Sequence, residues 1–285
     1  MIEFNKNSKI LIVGLGLIGG SYAQALTDKG YEVGAIARRQ ETIDYALDKG
    51  LIAHGAVDVT REYVSGFDVI VFALYPKVFL EWIERYQSFI KDGAWLTDVT
   101  GVKRSVVYDV QSALRDGIEF IGAHPMAGKE VYGVENSDKA IFTNANYIVT
   151  PTDKNTSEAI EACMELGREL GFRTVTTLDP EQHDEMIGFL SQLTHCIAVS
   201  LMCCKESEKL VDYTGDSFRD LTRIAKINDA MWSELFLLNK DELVAQMQLF
   251  IDKFTELKTS IEDSDREKMR GMMRISTERR KFFDK

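Results

Sequence analysis

The sequence lacks the patterns that mark secreted, membrane-spanning and disulfide-stabilised proteins. Its N-terminus has no cationic stretch followed by an apolar run, and we expect no apolar run long enough to cross a bilayer. The four cysteines, Cys163, Cys196, Cys203 and Cys204, do not have the spacing of zinc ligands, and the adjacent pair is poorly placed for a disulfide. These absences predict a cytoplasmic protein without membrane contact, whose cysteines are reduced core thiols.

Basic residues are also scarce. The chain has 34 lysine and arginine residues against 45 aspartate and glutamate residues, which gives a formal net charge of −11. Such a chain has no general attraction for phosphate, so we exclude a nucleic-acid partner. A site for an anionic substrate would have to gather its positive charge locally. We find no internal repeat and no pattern that predicts a bound metal.

At 285 residues the chain is long enough for one large or two moderate domains. Its first part alternates short apolar runs with helical stretches such as Gly20–Lys29 and Ser157–Leu170, as parallel strands with helical crossovers do. The predicted strands are Lys9–Val13, Glu32–Ala37, Asp68–Ala73, Ala94–Asp98, Glu119–Ala123, Tyr147–Thr150 and Arg173–Thr177. This order predicts an α/β fold, with a Rossmann-type doubly wound parallel sheet over residues 1–178.

After residue 178 the strand pattern stops and helical patterns follow one another. Asp179 and Pro180 are typical of an N-cap and a first helical position. The predicted helices are Glu181–Glu206, Ser217–Ile227, Asp229–Leu238, Asp241–Ile261 and Asp265–Phe283. We therefore predict an all-helical C-terminal domain over residues 179–285.

A glycine-rich loop follows the first predicted strand directly. Gly14 permits a tight turn, Gly16 lets the backbone approach a pyrophosphate, and Gly19 lets the next helix pack closely on the strand. Leu17 and Ile18 then lie at the helix N-terminus, where free N–H groups bind an anion. The alternative is a glycine-rich turn without a ligand, but the strand before it and the helix after it favour dinucleotide binding.

The end of the second predicted strand bears on which dinucleotide is bound. NAD selectivity usually rests on an acid there that bonds the ribose 2′-hydroxyl. This chain has Arg38 and Arg39 instead, and guanidinium groups form charge-assisted bonds to a 2′-phosphate. The alternative is that both arginines are merely solvated. We predict NADP as the preferred cofactor, with NAD possible.

His124 closes the fifth predicted strand, directly before Pro125. In a doubly wound sheet, residues just past the carboxyl ends of the strands face the ligand crevice. A lone histidine is more often structural than catalytic, but a neutral imidazole there is suited to accept a proton at neutral pH. We therefore predict His124 as a catalytic base.

The segment His124–Gly128 and the loop Gly14–Ser21 together resemble the prephenate dehydrogenase family, which includes arogenate dehydrogenases. Three later segments agree, at residues 181–184, 191–195 and 218–225. The resemblance covers both predicted domains. It implies an enzyme of tyrosine biosynthesis that oxidatively decarboxylates prephenate to 4-hydroxyphenylpyruvate with hydride transfer to NAD(P) and without a metal. Arogenate, which would give tyrosine directly, is the alternative substrate.

The resemblance also implies roles for single residues. His124 corresponds to the histidine that accepts the substrate hydroxyl proton, Arg223 to the arginine that binds a substrate carboxylate, and His195 to a second substrate-binding histidine. Asp98, at the end of the fourth predicted strand, is assigned to the cofactor. Glu130 is expected to reach the same cleft, although a solvated loop acid is nearly as good an explanation.

One departure from the family concerns the catalytic histidine. A serine that assists the catalytic histidine is replaced here by Gly101. We expect Thr100, one residue earlier, to supply the missing hydroxyl. His183 is left without a role.

The helix predicted over Glu181–Glu206 bears on His195. Large apolar residues recur along it at spacings of four and three and predict a buried stripe. They are Met186, Leu190, Leu193, Ile197 and Leu201. His195 lies roughly opposite to them, in line with small residues. That face is a close helix contact or the wall of a cleft, and the resemblance favours the cleft wall.

Two other classes of function compete with this interpretation. A β-hydroxyacid or imino-acid reductase shares the domain order but needs a lysine or another base on a helix. A redox regulator would bind NADP and a partner protein. Neither class calls for His124, His195 and Arg223 together.

The last predicted helix, Asp265–Phe283, bears on assembly. It carries apolar residues beside arginines: Met269, Met272, Met273 and Ile275, with Arg266, Arg270, Arg274 and Arg279. Such a stripe most often completes the core of its own chain. The resemblance, however, implies a homodimer joined through the helical domains, and we predict that a partner copy buries this helix.

Overall fold

The computed structural model describes residues 2, 4–206 and 208–283. Its strands all lie before residue 178: β1 Lys9–Val13, β2 Glu32–Ile36, β3 His54–Ala56, β4 Val69–Phe72, β5 Trp95–Asp98, β6 Glu119–Phe120, β7 Gly122–Pro125, β8 Asn146–Thr150 and β9 Thr174–Thr177. The helices in the same part are α1 Leu17–Asp28, α2 Gln40–Asp48, α3 Arg61–Val64, α4 Pro76–Tyr86, α5 Arg104–Ala113 and α6 Ser157–Glu169. The predicted α/β class is confirmed.

The main sheet has six strands in the order β3-β2-β1-β4-β5-β6, and every neighbouring pair is parallel. The chain begins at the central strand β1 and continues through β2 to the edge strand β3. It then returns past β1 and forms β4, β5 and β6 on the other side. Ile10, Leu11 and Ile12 have no exposed surface, because helices cover both faces of the sheet. A ligand crevice is expected beyond the carboxyl ends of β1 and β4, where the winding direction reverses.

The predicted fifth strand is wrong, because it is two strands in two sheets. β6 ends at Phe120, while β7 pairs antiparallel with β8, and β8 pairs parallel with β9. Gly122 permits this crossing, since a Cβ there would lie 2.4 Å from Thr150 Oγ1. The last two predicted strands therefore belong to a second, three-stranded sheet, and His124 lies within β7, opposite Ile148.

The short edge strand β3 is not among the predicted strands. Three residues are too few to show a periodic pattern, and its partners on β2 are distant in sequence. His54, at its first residue, contacts the hydroxyl of Tyr63 at 3.1 Å and lies at the edge of the sheet.

The described residues after Thr177 form only helices and turns, which confirms the predicted all-helical part. The helices are α7 Pro180–Ile187, α8 Thr194–Cys203, α9 Asp216–Thr222, α10 Asp229–Leu238, α11 Lys240–Glu262 and α12 Arg266–Arg280. Asp179 caps α7 as expected, with its carboxylate accepting from the Gln182 N–H at 2.7 Å. A π-helical segment, Gly188–Leu193, joins α7 to α8 without a break.

The buried stripe predicted along this helix is wrong at its first two positions, whereas Leu193 is buried. Met186 and Leu190 are exposed, whereas His183, Asp184 and Gln192 are buried. A π-helical turn holds more residues than an α-helical turn, so a 3.6-residue period does not carry across it. The helix therefore turns different residues inward than the uninterrupted pattern indicates.

The expectation that no apolar run is long enough to cross a bilayer is also wrong, judged by the length and composition of one helix. The continuous helix Pro180–Cys203 has 24 residues and a mean hydropathy of 1.6. No Asp, Glu, Lys or Arg interrupts residues 186–204. Asp184 and Gln192 on this helix are buried and hydrogen-bonded inside the protein, although only 28% of its apolar window is buried. A buried core helix passes the same test of length and composition.

The cysteines are all free, but only one of them is a core thiol. Cys163 is buried, Cys196 is half-buried, and Cys203 and Cys204 are exposed at the end of α8. The prediction of buried thiols therefore holds for Cys163 alone, because the helix that carries the other three is only partly covered.

Candidate active site

The glycine loop after β1 has the backbone that close approach to a ligand requires. Gly14 has a φ of +101°, and a Cβ there would lie 2.4 Å from Ala73 O. A Cβ at Gly19 would lie 1.9 Å from Gly14 O, so α1 can pack this closely on the loop only with glycine. At Gly16 nothing described lies within 4 Å of the Cβ position, which leaves the backbone open to the crevice.

The N-terminus of α1 fits an anion. Gly16 is its N-cap, and within the described chain no side chain caps its free N–H groups and no acid lies in its first turn. Leu17 and Ile18 therefore present unpaired N–H groups at the positive end of the helix dipole. The residues predicted to hold a dinucleotide pyrophosphate fit that group.

Arg38 and Arg39 follow β2, and both are exposed. Among the residues that the structure describes, neither guanidinium takes part in a hydrogen bond or an ion pair. Both remain able to bind an anionic group beyond the end of β2.

Asp98, Thr100 and Lys103 form a buried network at the end of β5. Lys103 Nζ donates to Asp98 Oδ2 at 2.6 Å and to Thr100 Oγ1 at 3.1 Å. Asp98 Oδ1 accepts from the Ala123 N–H at 3.1 Å, which ties β5 to β7 beside His124. Burial lowers the pKa of Lys103, and the Asp98 carboxylate opposes that shift.

This placement differs from the roles expected for Asp98 and Thr100. Asp98 has no exposed surface and its carboxylate is bonded inside the protein, so it does not face the crevice. The Thr100 hydroxyl is bonded to Asp98 and Lys103 rather than to His124. Both residues instead supply the oxygen partners that the buried Lys103 ammonium requires. They therefore support the site from the protein interior.

Gly101 lies where the family has its serine, and it faces the predicted base. A Cβ at this position would lie 3.9 Å from His124 Nε2 and 3.4 Å from Leu235 on α10. Glycine therefore leaves the Nε2 side of His124 without a neighbouring hydroxyl from residue 101.

On its other side His124 is bonded to His183 and, through His183, to Asp184, two residues that sequence reasoning had not assigned. His124 Nδ1 lies 2.9 Å from His183 Nε2, and His183 Nδ1 lies 2.7 Å from Asp184 Oδ1. The only signal for them in the sequence was an adjacent His-Asp pair at a predicted helix start, and nothing local pointed to His124 as its partner.

Burial sets the protonation of the two histidines. The pKa of His124 lies well below its ordinary value because desolvation disfavours the imidazolium, with smaller contributions from His183 and Lys103. Burial also lowers the pKa of His183, although the Asp184 carboxylate raises it. A neutral His124 can accept a proton at neutral pH.

The residues predicted to bind substrate come together in the structure. Arg223 Nη1 and Glu130 Oε1 form an ion pair. His195 donates from Nδ1 to Ser191 O at 2.9 Å and packs against Trp232, with ring centroids 3.8 Å apart and the rings tilted by 31°. Burial lowers the pKa of His195, and the charges of Glu130 and Arg223 act on it in opposite directions. Trp232 was not foreseen, because it lies on a separate helix.

Helix α10 of the helical part packs beside the expected crevice. Glu234 on α10 accepts from the Lys77 N–H at 2.8 Å, and Asn228 donates to the Tyr75 hydroxyl at 3.0 Å. These contacts bring α10 over the loop that follows β4. We therefore place the expected crevice between the glycine loop and His124 on one side and the helical residues on the other.

Two family models match the chain, one for each part. Residues 22–176 match the nucleotide-binding domain of prephenate dehydrogenase, and residues 179–275 match its dimerization domain. Together they span most of the chain.

Relatives and solved structures agree with these matches. Prephenate dehydrogenase of Bacillus subtilis is 32% identical, over 91% of this chain and 72% of the relative. Prephenate dehydrogenase of Lactococcus lactis is 31% identical, over 90% of this chain and 72% of the relative. The crystal structure of the Aquifex aeolicus prephenate dehydrogenase with hydroxyphenyl propionate and NAD+ is 29% identical and has a TM-score of 0.88, covering 99% of this chain and 100% of that one.

The buried Lys103–Asp98 pair gives a stability prediction. Lys103→Met leaves Asp98 as an unpaired buried carboxylate, so we expect the free energy of unfolding to fall by about 3–5 kcal/mol. Urea unfolding followed by circular dichroism measures this change. Asp98→Asn in the same chain removes the charge and should recover part of the loss, while Lys253→Met, in an exposed pair, should change little. A Lys103→Met protein as stable as the wild type would contradict the assignment.

Proposed function

The chain belongs to the prephenate dehydrogenase family, and on that premise we propose that it oxidatively decarboxylates prephenate to 4-hydroxyphenylpyruvate. The observation that carries the proposal is the geometry of His124, which is bonded through Nδ1 and has its Nε2 facing Gly101, in surroundings that lower its pKa. A base in that state is what removal of a hydroxyl proton requires.

In prephenate a hydroxyl and a carboxylate lie on opposite carbons of a cyclohexadiene ring. When bound, NAD(P) accepts the hydride from the hydroxyl-bearing carbon. His124 Nε2 takes the hydroxyl proton as that hydride leaves. The ring carboxylate departs as CO2, its bonding electrons complete the aromatic ring, and the proton returns to the phenol oxygen. His124 is thus neutral again at the end of the cycle.

Arg223 and His195 are proposed to hold the substrate. The side chain of Arg223 is 64% exposed and pairs with Glu130 through Nη1, which leaves further donors for a substrate carboxylate. His195 is engaged through Nδ1, so its Nε2 remains for the substrate. Glu130 sets the position of Arg223.

We assign the cofactor to the loop Gly14–Gly19 and to the arginines after β2, and we propose NADP in preference to NAD. Two exposed guanidinium groups follow the end of that strand directly, where an NAD-selective site has an acid, and this combination suits a 2′-phosphate. The Aquifex relative was crystallised with NAD+, so the argument for NADP rests on residues of this chain. Residues 1–178 would then be the cofactor domain and residues 179–285 the substrate and dimerisation domain.

We further propose a homodimer formed through the helical part, in a cytoplasmic protein with free thiols. Residues 179–275 match a dimerization domain, and α12 has no buried position among its described residues. Several large apolar side chains of α11 and α12 are exposed: Leu249, Ile251, Phe254, Ile261, Met273 and Ile275. A two-fold partner would bury such a face.

The activity is tested by comparing kcat/KM for prephenate and arogenate with each cofactor. We expect prephenate to be the better substrate, because both relatives above 30% identity are prephenate dehydrogenases. In the same assay His124→Asn should lower kcat by about 10²–10⁴-fold while leaving cofactor affinity nearly unchanged. An absence of turnover with either substrate would overturn the function, and a normal kcat in the variant would remove His124 from the reaction.

The lowered pKa of His124 predicts the pH dependence of kcat. The base is active when neutral, so kcat should stay constant as the pH falls through about 6.5, the ordinary histidine value, and decline only at lower pH. Steady-state rates at saturating substrate across an acidic series measure this. A decline centred at or above the ordinary value would contradict the desolvated environment.

The cofactor preference is tested by Arg38→Ala and Arg39→Ala. Losing a charge-assisted bond to the 2′-phosphate should weaken NADP binding by roughly 1.5–3 kcal/mol and leave NAD binding nearly unchanged. Kd values from fluorescence titration provide the comparison, with Arg85→Ala, near the C-terminal end of α4, as the control. Equal effects on both cofactors would count against a 2′-phosphate site.

The assembly is tested by light scattering on the purified chain. We expect twice the 32.3 kDa mass of the chain at micromolar concentration. Ile275→Asp, on the exposed face of α12, should shift the protein toward the monomer because it places a charge in an apolar interface. A wild-type monomer at that concentration would refute the dimer.

A further inference from the structure

A chain of hydrogen bonds runs from His124 away from the crevice into the helical part. It passes from His124 Nδ1 to His183 Nε2 at 2.9 Å and from His183 Nδ1 to Asp184 Oδ1 at 2.7 Å. His183 and Asp184 have no exposed surface. They cannot touch a substrate, and any effect they have on the reaction must pass through His124.

Asp184 is anchored by the backbone of a different part of the molecule. Its Oδ1 accepts from the Lys103 N–H at 2.7 Å, and its Oδ2 accepts from the Arg104 N–H at 2.9 Å. These groups begin α5, whose own N-cap residue supplies no capping side chain in the described structure. Asp184 therefore caps α5 from α7, and the positive end of the α5 dipole favours a carboxylate there.

From this geometry we infer that His183 and Asp184 are positioning residues that fix the tautomer of His124. An ionised carboxylate only accepts, so His183 must carry its proton on Nδ1. Neutral His183 then has a bare Nε2, which accepts from His124 Nδ1–H. His124 is left with its lone pair on Nε2, the atom that faces position 101.

The opposite tautomer is excluded by the same bonds. A proton on His124 Nε2 would leave Nδ1 as an acceptor, and His183 would have to donate from its own Nε2. Neutral His183 would then need a donor at Asp184, whose two oxygens already accept backbone N–H groups. The orientation of His124 is therefore set by Asp184, the residue that caps the N-terminus of α5.

The inference rests on the proposed function for its catalytic meaning, but its first test uses no substrate. The chain has four histidines, so the imidazole ¹⁵N signals of the full-length labelled protein are few. Spectra of His54→Gln and His195→Gln assign two of them by loss. We expect His124 at neutral pH to be protonated on Nδ1 and bare on Nε2. A proton on His124 Nε2 overturns the inference, whatever the activity.

The second test separates positioning from packing. His183→Leu removes the acceptor and should lower kcat by about 10²–10⁴-fold, the range for loss of a correctly oriented base. KM for prephenate and the Kd of the cofactor should change by less than about threefold, because His183 touches neither. His183→Gln keeps an amide oxygen near the former Nε2 and should retain a kcat at least about tenfold above that of the leucine variant.

His54→Gln, at the sheet edge, is the matched control and should keep the wild-type kcat. A normal kcat in His183→Leu, or equal losses in the leucine and glutamine variants, would show a packing role and overturn the inference. If His183→Leu does not fold, the nitrogen spectra of the wild type decide. A wild-type chain that fails to turn over prephenate defeats the proposed function but leaves the tautomer measurement valid.

Discussion

Two carboxylates with no exposed surface hold together the region that carries the base. Asp98 is paired with the Lys103 ammonium and the Ala123 N–H, and Asp184 accepts from two backbone N–H groups and from His183. A buried charge is costly unless it is fully bonded, so each of these partners constrains the position of the others. The two acids join β5 to β7 and α5 to α7, and His124 lies where those joints meet.

This arrangement explains how a common fold obtains a particular site. The parallel sheet supplies an edge at which the glycine loop, the end of β5 and the second sheet converge. The helical part supplies Asp184 to the interior and Arg223 and His195 to the open side. The base, His124, lies in the first part of the chain. The residues that orient it, His183 and Asp184, lie in the second part. Substrate and cofactor would thus meet between two walls fixed to each other by buried hydrogen bonds.

Much of the fold could be predicted from short stretches of sequence. The wrong predictions share a cause, because the structure there depends on more than a local residue pattern. The strands of the main sheet, the loop Gly14–Gly19 and the helices after Pro180 each have a pattern within a short window. The division of β6 from β7 depends on pairing with β8, some twenty-five residues away. The wrong apolar stripe came from a π-helical turn, which has no signal in residue periodicity.

The site was predicted to the same extent. His124 was predicted from its place at a strand end, Arg223 and His195 through the resemblance, and Glu130 from its loop position, and the structure brings the last three together. The network positions of Asp98 and Thr100 depend on the burial of Lys103, which composition does not reveal. His183 and Asp184 were missed because their role depends on contacts to residues about sixty and eighty positions earlier in the chain.

We propose that one neutral base in this crevice couples hydride transfer to loss of the ring carboxylate. The most direct measurement is the stoichiometry of a single incubation of the wild-type chain with prephenate and NADP. Reduced nicotinamide, CO2 and 4-hydroxyphenylpyruvate are followed together by absorbance, gas analysis and chromatography. The account predicts equal amounts of all three at every time point. Reduced nicotinamide formed without CO2, or no reduced nicotinamide with either cofactor, would contradict it.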